Sequence, residues 1–412
     1  MLDYQIHTFA NGLRLVYKQN LGTRIAHCGF TVDAGSRDEQ NGELGLAHLI
    51  EHMLFKGTPK KRSTQILNRL EVVGGELNAF TSKDKTYIYA LIVDEHFEKA
   101  VELLTDITFN STFPDKELVK EKKVIADEID MYLDTPEERI FDEFQELFYR
   151  QHPLGTNILG TKESLAEFNS THLIKFRDRN YTTQNTVFSF VGRLPFEKVV
   201  KICSKYLDKL TGNQTTHERL PFTQFEPFKL TKKMPFVQAH VLVGCKAYEF
   251  THANRPAMML LTNMLGGPGL NSIFNLSLRE KYGFTYGVET SYQSFADTGL
   301  FNIYWSTDIQ NLKKSIRVVL SDLIKIREKT LSTAQFNRYK TQFKGQLIMA
   351  EESKSGMMLM IARSILDLGK VDSLEEVLAT IEAITPADIQ EIAQSLFNPD
   401  NLSWLIYEPK EE

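Results

Sequence analysis

The chain repeats its own pattern. Strand-like and helix-like segments follow one another in the same order twice, on either side of a break at residues 211–235. In the first half, a strand ending Asp33-Ala34-Gly35 leads to a helix from Leu46. A second helix ending LNRLEVVGG follows, then a turn, the strand TYIYALIV and a further helix. In the second half, VQAHVLVGCKA leads to a helix from Pro256, then NLSLREKYG, a turn, GLFNIYW and a helix. The copies lie roughly 208 residues apart, alike in pattern more than in identity. The break reads TGNQTTHERLPFTQFEPFKLTKKMP, with three prolines and no sustained period, as a linker does. The expected organisation is therefore a domain at 1–212, a linker at 213–235 and a similar domain at 236–412, within a chain of 412 residues.

Strand candidates at 13–17, 27–32, 86–93, 186–191, 237–243 and 300–305 are rich in β-branched and aromatic residues. Helix candidates fall at 46–55, 64–73, 95–110, 116–133, 136–150, 196–210, 256–265, 312–329, 334–352 and 386–397. Ser63, Pro136 and Thr385-Pro386 are sound start signals. Consecutive strands at hairpin spacing favour an α+β fold over a doubly wound parallel sheet. Each half is expected to be a mainly antiparallel sheet with helices packed on it. The 27 Phe and a 42% hydrophobic share can fill such cores, which excludes disorder as the main state.

The net charge of -5 lacks the basic excess of a general nucleic-acid binder. No stretch approaches the roughly 20 apolar residues of a membrane span. The N-terminus lacks a basic segment followed by an apolar one, so the expectation is a cytoplasmic protein without membrane or nucleic-acid partners. The three cysteines form no CxxC pair, and Cys28 and Cys245 sit in apolar, strand-like runs as buried thiols do.

The most informative stretch is GLAHLIEHMLFKGT. His48 and His52 are four apart, so on a helix both imidazoles leave one face, as two zinc ligands must. Glu51 borders that face and can reach a metal-bound water without being a ligand. The order is HxxEH, the inverse of HExxH. Three polar groups in an otherwise apolar helix cost desolvation unless something satisfies them. A third ligand is needed, and the helix candidate around 116–133 offers Glu117, Glu121, Asp127, Glu128 and Asp130. Glu121 and Glu128 share a face two turns apart, but composition does not choose among these acids.

The HLIEH motif followed by Glu128 resembles the pitrilysin/insulinase family of inverted zinc metallopeptidases. Its short-chain branch, which includes mitochondrial and bacterial processing peptidases, is the most similar. NGLRLVY, VDAGSRDE, GGELNAFTSKDKTYIYA, VIADEIDMYLDTPEE, HPLGTNILGT, VGRL and LREKYGFTYGV extend the resemblance over nearly the whole chain. The resemblance implies one Zn2+ per chain held by His48, His52 and Glu128, with Glu51 as general base and Glu121 supporting the ligands. It implies an edge strand in which Asn78, Ala79 and Phe80 pair with substrate backbone. It further implies that Arg279 and Tyr286, in the second domain, bind substrate near the scissile bond, where Tyr286 steadies the oxyanion. At the repeat offset, Pro256, Met259 and Leu260 stand near the positions of His48, Glu51 and His52, so the second copy has no metal motif. Ile273 stands where the family usually has an Arg. The implied activity is a zinc endopeptidase acting on peptide substrates in a chamber of four such domains. A chain of this length reaches four as a homodimer, or as a heterodimer where relatives divide the motifs. The alternative is a noncatalytic structural or assembly subunit, as some relatives are.

Overall fold

A computed structural model describes residues 4–212 and 219–410; residues 213–218 of the expected linker lie outside the described residues. The chain forms two compact units. One comprises Met1–Met131, Thr156–Arg219 and Ala350–Ser373; the other comprises Tyr132–Gly155, Leu220–Met349 and Leu374–Glu412.

The first unit is built on a six-stranded sheet. Its strands are β1 (Gln5–Thr8), β2 (Arg14–Gln19), β3 (Ile25–Val32), β4 (Glu76–Thr81), β5 (Thr86–Val93) and β6 (Thr186–Gly192), in the order β1-β2-β6-β3-β5-β4. The second is built on β7 (Lys229–Met234), β8 (Ala239–Ala247), β9 (Val288–Ser294), β10 (Gly299–Thr307) and β11 (Ser403–Pro409), in the order β7-β11-β8-β10-β9. In each sheet one neighbouring pair is parallel, β2 with β6 and β7 with β11, and every other pair is antiparallel. The order β2-β6-β3-β5-β4 is the order β7-β11-β8-β10-β9 in the second copy. The repeat legible in sequence is thus a repeat of topology.

Helices α1 (Leu46–Met53), α2 (Ser63–Glu71), α3 (Phe97–Asn110), α4 (Asp115–Asp134), α5 (Pro136–Phe148), α6 (Lys162–Glu167), α7 (Ser170–Asn180) and α8 (Phe196–Leu207) belong to the first half of the chain. The second half supplies α9 (Arg255–Gly266), α10 (Leu312–Glu328), α11 (Thr333–Ala350), α12 (Lys354–Leu368), α13 (Leu374–Ala383) and α14 (Pro386–Leu396).

Period-two alternation gives each sheet two apolar faces. On β10, Phe301, Ile303 and Trp305 pack with α9, α10 and α14, whereas Leu300 faces the side covered by Ile140, Phe144 and Phe148 of α5. Gly244 on β8 makes room for that helix: a Cβ there would stand 3.0 Å from the Phe144 ring and 2.4 Å from Asn302. On the first sheet, Phe188 and Phe190 of β6 meet Phe30 and Phe97, while Val187 and Val191 meet Met358, Ile361 and Ile365 of α12.

The compact units therefore differ from contiguous halves. Helix α5 follows the first domain in sequence but covers the second sheet, and α12 follows the second repeat but covers the first. The expected linker is also shorter than its composition implies, because 229–234 form β7. Its lysines lie at a sheet edge, where charge is tolerated and discourages pairing with another chain. Cys28, Cys203 and Cys245 are all buried free thiols. Among the described residues no helix is long and apolar enough to cross a membrane.

Candidate metal centre

Helix α1 is positioned before it is functional. It begins after Gly45, whose φ of 87° lies in the left-handed region. A Cβ there would come within 2.7 Å of the Leu159 carbonyl, so glycine is required twice over. The Glu39 carboxylate accepts the backbone N–H of Gly45 at 3.0 Å and of Ala47 at 2.9 Å, which satisfies amides of the first turn. Burial pushes the Glu39 carboxyl up to about 8, although those two N–H groups oppose the shift. Leu46, Leu49, Ile50 and Met53 are fully buried and orient the helix.

That orientation brings His48 and His52 together, with ring centroids 4.7 Å apart. Helix α4 supplies the acids, and the structure chooses among the five that sequence left open. Glu128 Oε1 lies 3.8 Å from His48 Nε2, and Glu128 Oε2 lies 3.5 Å from His52 Nε2. Two turns earlier, buried Glu121 lies 3.1 Å from His52 Nδ1. As acceptor, it fixes the tautomer with the proton on Nδ1 and the Nε2 lone pair toward Glu128. Its other oxygen, Oε1, lies 2.5 Å from Lys56 Nζ.

The donor set fits a metal ion. One atom each from His48, His52 and Glu128 lies within 4.8 Å of the others, the only such group of three among the described residues. Burial, then the neighbouring His52, pushes His48 down to about 3, so its imidazole is neutral at ordinary pH. Its Nδ1 is buried with no hydrogen-bond partner, which leaves Nε2 as the nitrogen turned to the acid. Neutral nitrogen lone pairs facing a carboxylate repel it unless a cation stands between. Tetrahedral ligands about 2.0–2.1 Å from one zinc are about 3.4 Å apart, close to the separations here.

Glu51 is half-buried. Thr81 is its neighbour, and the Thr81 hydroxyl donates to the Ala47 carbonyl of α1 at 3.5 Å. Burial raises the Glu51 pKa, opposed by Thr81 and the nearby His52. Buried Tyr181, just past α7, is near enough that the Glu51 charge adds to burial in raising its own pKa.

Thr81 is the last residue of β4, the outermost strand of its sheet. At the β4–β5 turn the Ser82 N–H bonds the Lys85 carbonyl. Residues alternate along a strand, so Asn78 and Phe80 direct their backbone groups to β5. Leu77, Ala79 and Thr81 direct theirs to the open edge. Phe80 stacks on Tyr87, with ring centroids 4.4 Å apart. Asn78, Ala79 and Phe80 thus lie on an edge strand whose end bonds α1, the helix that bears Glu51.

In the second unit, Arg279 lies in a π-helical segment, Asn275–Lys281, and Tyr286 is 88% exposed in the loop before β9. The Arg279 guanidinium stands over the Tyr286 ring, 5.0 Å from its centroid. The structure brings the expected ligands His48, His52 and Glu128 together, whereas sequence reasoning passed over Lys56, Thr81, Tyr181 and Glu39. Lys56, Thr81 and Glu39 lie inside quoted motifs, so proximity was the available signal. Tyr181 carried none.

Two imidazoles and a carboxylate beside a second, half-buried carboxylate, with an open strand edge nearby, define a candidate metallohydrolase centre. Residues 14–162 match Insulinase (Peptidase family M16), and residues 167–343 match the Peptidase M16 inactive domain. The chain belongs to the insulinase family of peptidases, M16. A Bacillus subtilis (strain 168) protein named uncharacterized zinc protease YmxG is 33% identical over 396 residues, 96% of each chain. An uncharacterized zinc protease of Rickettsia bellii (strain RML369-C) is 30% identical over 410 residues, 98% of this chain and 97% of that one. Among solved structures, a peptidase M16 inactive domain from Pseudomonas fluorescens has a TM-score of 0.93 at 18% identity, covering 100% of this chain and 98% of the other. A Helicobacter pylori protease has a TM-score of 0.91 at 20% identity, covering 98% and 99%. At such identities the two structures establish the shared fold.

Proposed function

We propose that this chain is a zinc-dependent endopeptidase that hydrolyses unfolded peptides or flexible protein segments. His48, His52 and Glu128 hold one zinc per chain, and Glu51 is the general base. The observation that carries this reading is the His48, His52 and Glu128 donor set on and beside the helix that bears Glu51. The Thr81 hydroxyl bonds the Ala47 carbonyl of that helix, so the helix meets the end of an edge strand able to take up an extended peptide.

Backbone groups of Leu77 and Ala79 pair with the substrate and lay it along β4, and such pairing tolerates many sequences. A bound zinc supplies Lewis acidity, which polarises a peptide carbonyl and activates water. Glu51 accepts the proton of the attacking water at its carboxylate, then delivers it to the leaving nitrogen. Glu121 keeps the His52 proton on Nδ1. Arg279 and Tyr286 add substrate contacts, and Tyr286 donates its phenolic hydrogen bond to the developing oxyanion. By family resemblance two copies pair to enclose the substrate in a chamber. The full donor set with Glu51 speaks for catalysis over a noncatalytic assembly role.

The direct test is metal content. Purified wild-type protein is expected to carry about one zinc per chain, and His48→Ala to carry none. Stoichiometric zinc retained by His48→Ala would overturn the ligand assignment.

A further inference from the structure

We infer that Lys56 is a positioning residue for His52, acting through Glu121. The inference rests on His52 being a metal ligand, as proposed above. The three groups form a chain: Lys56 Nζ is 2.5 Å from Glu121 Oε1, and Glu121 Oε2 is 3.1 Å from His52 Nδ1.

The Glu121 side chain is 10% exposed and that of Lys56 25%, so the pair is partly withdrawn from solvent. The terminal torsion of a glutamate is broad and roughly two-fold. A carboxylate held only by one imidazole N–H could swing about that bond. Lys56 occupies the second oxygen and pins the carboxylate plane, so Oε2 stays aimed at Nδ1. The ring of His52 is then fixed in rotation, with Nε2 3.5 Å from Glu128. Lys56 itself is anchored by its backbone. It lies beyond the end of α1, and its N–H bonds the Met53 carbonyl at 3.2 Å. Its cation also keeps a buried negative charge from standing alone beside the metal ligands. Lys56 makes no ion pair with any of the three expected ligands; its effect passes through Glu121.

Partners that orient a metal-bound histidine typically change metal affinity by 10–100-fold when removed. Lys56 sits one bond further out, so the expectation is the lower end of that range. The experiment is zinc affinity of the full chain, stripped of metal and titrated against a chromophoric chelator, with no substrate present. Lys56→Met is expected to weaken zinc binding about tenfold, and Lys56→Arg to restore it to within about threefold of wild type. In a Glu121→Met background, Lys56→Met is expected to change nothing further, since the path from lysine to histidine is already cut.

Wild-type affinity in Lys56→Met overturns the inference. So does a further tenfold loss in the Glu121→Met background, or failure of Lys56→Arg to rescue. If Lys56→Met loses its folded far-ultraviolet spectrum, Lys56→Gln provides the same comparison. A wild-type chain that takes up no zinc overturns the ligand reading itself, and this inference with it. A wild-type chain that binds zinc, matched by Lys56→Met, removes only this inference.

Discussion

Lys85 Nζ lies 2.6 Å from Asp367 Oδ1, joining the start of β5 to a helix from the far end of the sequence. Lys85 is fully buried and also meets Asp33 at 3.0 Å and Asp84 at 3.6 Å. Arg219 meets Asp33 and Asp38, and Arg363 meets Asp84 and Asp367. This cluster fastens the β4–β5 turn, and thereby the edge strand, to α12. Removing one partner leaves buried charge uncompensated. Asp367→Ala is expected to destabilise the protein by about 3 kcal/mol in urea unfolding followed by circular dichroism, because two acids remain for Lys85. A change below about 0.5 kcal/mol would mean the cluster is not holding α12.

The same cluster sets a pH dependence. Burial alone would raise the Asp33 carboxyl, but Lys85 and Arg219 outweigh it and hold the group below its usual range. A depressed carboxyl contributes stability that is present above the unfolded pKa of about 3.9 and is lost as pH falls through the folded value. Asp33→Asn is therefore expected to be less stable than wild type at pH 7, and the gap in melting temperature to close below about pH 4. A gap that is constant from pH 7 to pH 3 would contradict the assignment.

The edge strand can be tested without touching the metal ligands. The Ala79 N–H points to the open edge, so proline there removes a donor to substrate and spares the ladder to β5. Ala79→Pro is expected to retain zinc and its melting temperature while kcat/KM on an unstructured peptide falls at least about tenfold, or ~1.4 kcal/mol. Unchanged kcat/KM would remove β4 from substrate binding.

Tyr286 offers a separable contribution. In the proposed role of donor to an oxyanion its hydroxyl would act in the transition state, so Tyr286→Phe is expected to lower kcat about 10²-fold with little change in KM. A rise in KM alone would make Tyr286 a binding contact only.

Much of the centre was legible because its determinants are local. His48, Glu51 and His52 share one helix, and α1 and α4 were both among the helix candidates. The strand at Thr86–Val93 matched its candidate end for end, since its β-branched and aromatic run is bounded sharply. What resisted reading was long-range. Helix α12 was not among the helix candidates, and its apolar stripe of Met358, Ile361 and Ile365 does not say which sheet it covers. The lysines of β7 look like linker until a parallel partner, β11, is known. Lys56 and Thr81 acquire roles only once α4 and β4 are folded beside α1. Composition left the candidate third ligand open for the same reason: several acids on α4 have the right chemistry, and packing against α1 brings Glu128 to both histidines.

The central claim is that Glu51 does the proton work at a zinc site it does not itself build. The measurement is zinc content together with cleavage of an unstructured peptide mixture, read by mass spectrometry, for wild type and Glu51→Gln. The account predicts one zinc per chain in both proteins and a loss of cleavage of at least about 10²-fold in the variant. Cleavage by Glu51→Gln at the wild-type rate, with zinc in place, would contradict it.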